Sequence, residues 1–195
     1  MWRAVALVPA LVAALALAGC NRDQTGSYPA ANRSDCLPDI TLTDQNGRAV
    51  SLASFKGHPV LVDFIYTSCS GPCPMLTAKL ASVAKLLGPR LGADVKLVSI
   101  TLDPEHDGPT QLLDYAQKQG ANEAGWFFLT GTPERIERVL AGFEIRRQRE
   151  ADGSVTHSVE SFLLGPDGRQ LRQYNGLTVH PETVVADVEK ALSHG

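Results

Sequence analysis

The 195-residue sequence lacks a basic stripe, since 18 Lys and Arg stand against 21 Asp and Glu. Nucleic-acid-binding proteins usually cluster positive charge on one face, so we expect no nucleic-acid partner. The short basic cluster at residues 146–149 is flanked by Glu144 and Glu150, and we interpret it as a solvated face. Hydrophobic residues make up 44% of the chain, enough for one ordinary core but hardly for two, and one globular domain is therefore expected.

The N-terminal apolar run, residues 4–18, is too short to span a bilayer comfortably, which takes roughly 20 residues. Arg3 precedes the run and Leu17-Ala18-Gly19-Cys20 follows it, which is the layout of a secretory signal. An uncleaved transmembrane anchor is the alternative. The tetrapeptide resembles the bacterial lipobox, whose cysteine is diacylated and becomes the mature N-terminus. This resemblance predicts a lipid anchor at Cys20, held by acyl chains that each bury methylenes in the membrane.

Cysteine is scarce, with four residues in the chain. Setting Cys20 aside for lipidation leaves Cys36, Cys69 and Cys73, an odd number for a compartment that oxidises thiols. A fixed network of structural disulfides is therefore not expected. The simplest arrangement is a Cys69/Cys73 pair, with Cys36 as a bystander near the domain edge.

The apolar pattern beyond residue 36 predicts a mixed α/β sheet with helices on both faces. Residues 40–52 alternate apolar with polar around a turn at residues 44–47, which indicates an N-terminal β-hairpin. A nearly continuous apolar run at residues 60–66 indicates a buried central strand. The remaining pattern predicts strands at 95–102, 126–129, 161–164 and 170–174, and helices at 76–87, 109–120, 132–143 and 181–192. Alternating elements followed by an antiparallel pair favour this architecture.

Cys69 and Cys73 lie where the first central strand gives way to the first long helix, at the strand end where reactive sites collect. Pro74 suits the first helical position, which predicts Cys73 at or near the N-cap, where the helix field favours a thiolate. Two thiols at this spacing can form a disulfide or hold one metal ion. Thiolates prefer Cu(I), and an added imidazole would complete an S₂N site that could also hold Cu(II).

Histidine could supply that imidazole, and the chain has five. His157 stands out because it leads directly into the strand at residues 161–164, which should pair beside the cysteine strand. The others are placed less favourably, at the far end of the first central strand, in an acidic loop, or near the C-terminus: His58, His106, His180 and His194.

The sequence resembles the SCO/SenC/PrrC family of copper proteins, named for synthesis of cytochrome c oxidase. The resemblance runs from about residue 37 to the C-terminus. Its motifs are LTDQNG at 42–47, CSGPCP at 69–74, SITLDPE at 99–105, WFFLTG at 126–131, HS at 157–158 and FLLGPDG at 162–168. It implies a thioredoxin-like fold in which Cys69, Cys73 and His157 bind one copper ion, which is delivered to the copper A centre of cytochrome c oxidase.

Two positions depart from the family pattern. Thr156 stands where many members have Asp, so a carboxylate that could orient the ring of His157 is missing. Residues 70–72 are Ser-Gly-Pro in place of a more usual acidic or Val-containing set. The first departure affects the support of His157, and the implied ligand set itself is intact.

Other functions remain open. A thiol-disulfide oxidoreductase acting on the oxidase subunit or another extracytoplasmic protein is the main alternative, although a thioredoxin would have two residues between its cysteines and a proline where Val159 stands. A peroxiredoxin would need Thr in place of Tyr66. A redox or copper sensor that signals by protein contact would leave no distinguishing mark.

The expected organisation is a signal peptide at residues 1–19, the lipidated Cys20 with a polar tether to residue 35, and a thioredoxin-like copper-binding domain at residues 36–195. The expected location is the cell membrane, lipid-anchored and facing the periplasm. We expect a metallochaperone more than an enzyme. Its partner would be the copper A subunit of cytochrome c oxidase or another copper protein.

Overall fold

The computed structural model describes residues 36–193. The expected signal peptide, Cys20, the tether and His194 lie outside this range. Within it, no helix is both long and apolar enough to cross a membrane. The helices are α1 (Pro72–Leu87), α2 (Pro109–Lys118), α3 (Pro133–Gly142) and α4 (Pro181–Ser193). The strands are β1 (Thr41–Asp44), β2 (Ala49–Ser51), β3 (Val60–Ile65), β4 (Lys96–Thr101), β5 (Trp126–Thr130), β6 (Arg147–Arg149), β7 (Val155–His157), β8 (Glu160–Leu164) and β9 (Gln170–Asn175).

Seven of the strands form one mixed sheet, in the order β2-β1-β5-β4-β3-β8-β9. The central strands β3, β4 and β5 run parallel, and the strands on either side of them pair antiparallel. This arrangement confirms the predicted mixed sheet and its N-terminal hairpin, β1–β2. It also confirms that the strand after His157, now β8, pairs beside the cysteine strand β3.

Helices cover both faces of the sheet, as the sequence pattern predicts. Asp63, Ser99 and Phe128 are directly paired across β3, β4 and β5 and therefore share one face. On that face Tyr115 of α2 contacts the ring of Phe128 and the hydroxyl of Thr77 in α1. Helix α4 packs against α1 on the same side.

Helix α3 packs on the opposite face of the sheet. Phe143, at the end of that helix, makes edge-on ring contacts with Phe64 of β3 and Phe162 of β8, at centroid distances of 5.1 Å in both cases. Because β3 is covered on both faces and paired along both edges, all six of its residues are buried. A nearly continuous apolar run is the sequence that such a strand requires.

The β3–α1 junction differs from expectation in one detail. Gly71 is the N-cap and Pro72, not Pro74, occupies the first helical position. Cys73 therefore lies inside the first turn of α1, and it is 1% exposed. At the other end, Gly88 adopts a φ of +55°, a conformation that glycine enters at little cost.

Strands β6 and β7 form a separate two-stranded antiparallel sheet that the sequence pattern does not predict. We call residues 147–157 the His157 hairpin. β6 reads Arg-Gln-Arg and so carries no apolar alternation from which a strand could be recognised. The interpretation of residues 146–149 as a solvated face is wrong for Arg147, whose side chain is only 14% exposed and pairs with Glu137. Arg149 is exposed, as expected, although it also pairs with the carboxylate of Asp103.

Candidate metal centre

Cys69 and Cys73 lie together at the C-terminal end of β3, with exposures of 6% and 1%. No disulfide joins any of the cysteines in the described range. Instead the Cys73 thiol donates a hydrogen bond to the sulfur of Cys69. A groove of about 220 Å³ opens beside Cys69 between α1 and α2, and Cys69 is one of the residues that line it.

The pKa values of the two thiols shift in opposite directions. Burial alone would raise the pKa of Cys69, but hydrogen bonds from Cys73, from the backbone N–H of Gly71 and from the Tyr66 hydroxyl together lower it. Burial and the hydrogen bond to Cys69 raise the pKa of Cys73. The expectation of a thiolate at Cys73 is therefore wrong. The backbone N–H groups of Gly71 and Cys73 donate to Cys69, while the Cys73 side chain is packed against the core.

His157, the last residue of β7, approaches this pair. Its Nε2 lies 4.0 Å from Sγ of Cys73. Its Nδ1 lies 2.7 Å from the carbonyl oxygen of Ser158, and because a carbonyl only accepts, Nδ1 carries the proton and Nε2 presents a lone pair. The Ser158 carbonyl thus orients the ring, the role that a carboxylate at position 156 could have played. Burial lowers the pKa of His157, which favours the neutral imidazole that binds metals.

The donor types and spacing suit one thiophilic ion. Thiolate and imidazole ligands lie about 2.3 and 2.0 Å from a zinc-sized ion, so the 4.0 Å between Cys73 Sγ and His157 Nε2 leaves room for an ion bound to both. The side chains do not yet surround a common point. No group of three or more His, Cys, Asp or Glu within residues 36–193 is gathered closely enough to hold an ion. Cys73 still directs its proton at Cys69, and metal binding would remove that proton.

Tyr66 contacts all three candidate ligands. Its hydroxyl bonds to Cys69 and accepts from the backbone N–H of Val155, and its own backbone N–H donates to Cys73. Its ring lies edge-on to His157, with centroids 6.1 Å apart. Burial and the bond to Cys69 raise the pKa of Tyr66. In the sequence alone Tyr66 served only as evidence against a peroxiredoxin. Its position three residues before Cys69 could also have marked it as a hydroxyl of the candidate site.

Asp107 fixes the loop that leads to Cys69. Its carboxylate accepts from the backbone N–H of Thr67 at 3.0 Å, from the Thr67 hydroxyl at 2.5 Å and from the Thr101 hydroxyl at 2.6 Å. The loop after β3 is thereby tied to the end of β4. Burial raises the pKa of Asp107. The sequence offers no clear signal for this role, because Asp107 lies 38 positions from Cys69 along the chain.

Asp63 is a buried acid on the α1 side of β3. One oxygen accepts from the Ser99 hydroxyl at 2.5 Å, and that hydroxyl accepts from Nε1 of Trp126 at 3.0 Å. The other oxygen, Oδ2, has no hydrogen-bond partner. Burial raises the pKa of Asp63 to about 7. A lone acid in the apolar run at residues 60–66 is a signal that sequence inspection could have used.

The remaining candidates are engaged elsewhere. Nδ1 of His106 lies 2.8 Å from Asp103, while His58 precedes β3 at its far end and His180 precedes α4. Cys36 is 1% exposed, and its sulfur lies 3.5 Å from the carbonyl oxygen of Gly142. Cys36 therefore belongs to the core and does not lie at an exposed edge.

Comparison with known proteins gives one consistent answer. The model of the SCO1/SenC family matches residues 29–193. A SCO1/SenC family lipoprotein from Bacillus anthracis str. Ames is 26% identical, with a TM-score of 0.76 over 85% of this chain and 99% of that one. Bradyrhizobium japonicum ScoI, solved with copper bound, is 29% identical, with a TM-score of 0.69 over 78% and 96%.

A third structure is that of BsSco, a member of the Sco family of cytochrome c oxidase assembly proteins in which a disulfide switch was identified. It is 33% identical, with a TM-score of 0.74 over 87% of this chain and 98% of that one. These neighbours confirm the expected thioredoxin-like fold. Because the family model covers most of the sequence, the chain belongs to the SCO1/SenC family.

Proposed function

We propose that this protein carries one copper ion, bound by Cys69, Cys73 and His157, to the copper A centre of cytochrome c oxidase during its assembly. The observation that carries the proposal is the position of Cys73, whose sulfur contacts both Cys69 and Nε2 of His157. Two sulfurs suit Cu(I), and the neutral imidazole extends the site to Cu(II). The copper bound to ScoI and the membership of BsSco among oxidase assembly proteins support the same function.

Loading of this site exchanges protons for the metal ion. Cys69 gives up its proton more readily than Cys73, because hydrogen bonds already stabilise its thiolate. Cys73 must lose the proton that it shares with Cys69, and its own lone pairs then become available. His157 has no proton to lose at Nε2, since Ser158 holds the proton on Nδ1. Loading therefore releases protons and becomes easier as pH rises.

A thiol-disulfide oxidoreductase is the second candidate function, and the split thiol pKa values favour it. Cys69 borders the groove and has the lowered pKa, which favours the thiolate form that attacks a disulfide, and Cys73 is a buried thiol placed to resolve the product. The disulfide switch identified in BsSco supports this candidate. The same two sulfurs cannot be bonded to each other and hold a metal ion, so the two states exclude each other.

We further propose that residues 1–19 are a signal peptide, that Cys20 carries a lipid anchor, and that residues up to 35 tether a copper-binding domain of residues 36–195 at the periplasmic face of the membrane. The Leu17-Ala18-Gly19-Cys20 tetrapeptide and the lipoprotein from Bacillus anthracis support this arrangement. The partner is then an extracytoplasmic copper protein, of which the copper A subunit is the first candidate.

Titration of the reduced, anaerobic protein with copper tests the site. Cys69→Ser or Cys73→Ser should abolish tight Cu(I) binding, whereas His157→Ala should weaken Cu(II) binding more than Cu(I) binding, because two thiolates can hold Cu(I) alone. His58→Ala, at the far end of β3, is the control and should bind normally. Oxidation of the cysteine pair should abolish copper uptake until a reductant is added. Equal uptake by oxidised and reduced protein would place the metal elsewhere.

A further inference from the structure

The His157 hairpin is a separate piece of structure attached to the domain. β6 and β7 are three residues long and pair only with each other. A two-stranded hairpin is marginally stable at best in water. The position of the His157 imidazole therefore depends on the contacts that fasten this hairpin to the rest of the molecule.

Arg147 provides the first of these contacts. It lies directly opposite His157 in the β6–β7 ladder, so the backbone position of one fixes that of the other. Its guanidinium donates to the carbonyl oxygen of Leu102 and pairs with Glu137 at 2.7 Å and Glu105 at 3.5 Å. Charge-assisted hydrogen bonds of this kind are about twice as strong as neutral ones.

Arg149 provides the second contact, two pairs further along the ladder, opposite the buried Val155. Its guanidinium donates to Asp103 and lies 3.8 Å from Glu105. The Asp103 side chain is only 3% exposed. Burial alone would raise the pKa of Asp103, but hydrogen bonds from Arg149 and His106 lower it. A buried carboxylate needs such partners, because leaving it unpaired is costly.

Apart from Glu137 in α3, the residues that pair with the two arginines belong to the loop that follows β4. Leu102 donates its backbone N–H to the carbonyl oxygen of Ile65 at 2.7 Å, at the end of the cysteine strand. Asp107, in the same loop, holds Thr67 just before Cys69. One loop thus anchors the segment that carries Cys69 and also the hairpin that carries His157.

We propose that Arg147 and Arg149 are positioning residues for His157, and that their contacts with residues 102–105 and Glu137 form a clamp that holds the imidazole beside Cys73. This inference rests on the proposed copper site. Neither arginine touches the candidate ligands' donor atoms, so both act through the hairpin. Binding of Cu(II), which needs the imidazole, depends on the clamp, whereas Cu(I) held by the two sulfurs does not.

The experiment uses the reduced full chain, with Cu(II) and Cu(I) affinities measured by chelator competition. Arg149→Gln should weaken Cu(II) binding by roughly 10- to 100-fold, the range for loss of a residue that supports a metal ligand, and should change Cu(I) binding far less. Nitrogen coupling in the Cu(II) electron paramagnetic resonance spectrum should fall in parallel. Arg146→Gln, an exposed neighbour in the same cluster, is the matched control, and Arg149→Lys should restore part of the affinity.

A double-mutant cycle separates positioning from general stability. In the His157→Ala background Arg149→Gln should cause no further loss of Cu(II) affinity, because the residue through which it acts is gone. An additive loss in that background, or an Arg149→Gln variant that matches Arg146→Gln, would overturn the clamp.

A second variant guards against misfolding. Glu105→Gln removes the exposed carboxylate shared by both arginines. It should lower the Cu(II) affinity by less than Arg149→Gln does. An unchanged Cu(II) affinity in Glu105→Gln would also count against the clamp. Failure of the proposed function looks different, since Cys69→Ser would then retain copper. Loss of copper in Cys69→Ser together with normal binding by both clamp variants would refute the clamp alone.

Discussion

Asp63→Asn should remove a large pH dependence from the free energy of unfolding. Burial raises the pKa of Asp63 from 3.8 to about 7 in the folded protein, and each unit corresponds to about 1.4 kcal/mol. The unfolded chain releases this proton first as pH rises. The wild-type protein should therefore lose stability from about pH 4 upwards, and the loss should reach about 4 kcal/mol once the pH exceeds the folded-state pKa. Asn has the same shape and no proton to release, so its stability should lack this step.

The assay is urea unfolding of the reduced, metal-free protein between about pH 4 and 8, compared between wild type and Asp63→Asn. Subtracting the free energy of unfolding of Asp63→Asn from that of the wild type at each pH removes the contributions of the titrating groups that both proteins share. Asp114→Asn changes an exposed carboxylate and serves as the control, whose difference from wild type should stay small across the range. The reasoning would be refuted if the free energies of unfolding of wild type and Asp63→Asn differed by the same amount at every pH, because Asp63 would then ionise in the folded state at its ordinary pKa.

Two further predictions concern the cysteines. Brief treatment of the reduced protein with iodoacetamide near neutral pH should modify Cys69 before Cys73 and Cys36, because Cys69 has the lowered pKa and borders the groove. Peptide mass spectrometry measures the order in which the cysteines are modified. Faster labelling of Cys73 than of Cys69 would contradict the assigned pKa directions. Cys20→Ser should block lipid labelling in a bacterial host and release the protein from the membrane fraction, and a lipid-labelled Cys20→Ser protein would exclude the lipobox interpretation.

Most of the architecture is predictable from the sequence because the elements that build it have strong periodic patterns. β3 reads as a continuous apolar run since both of its faces are covered, and α3 carries a Thr132 N-cap, Pro at the first turn and a clear apolar stripe. The cysteine pair is recognisable because both residues lie on one short segment at a strand-to-helix junction.

The arrangement around the site is harder to predict because it depends on contacts between distant parts of the chain. Cys69 and Cys73 look alike in sequence, and it is the hydrogen bonds from Cys73, from the Gly71 N–H and from the Tyr66 hydroxyl that lower the pKa of Cys69. The His157 hairpin has no apolar alternation. It is held by charged residues, most of whose partners lie more than 40 positions away, as with Arg149 and Asp103.

The candidate ligands are supported to unequal degrees, which suggests an order for copper release. Cys73 lies in the first turn of α1 against the core, and Asp107 ties the loop of Cys69 to β4. His157 instead sits at the end of a three-residue strand outside the main sheet. An incoming ligand from a client protein displaces most easily the donor whose support costs least to break. In the proposed site that donor is His157, and its departure would leave Cu(I) on two sulfurs, of which the Cys69 residue borders the groove.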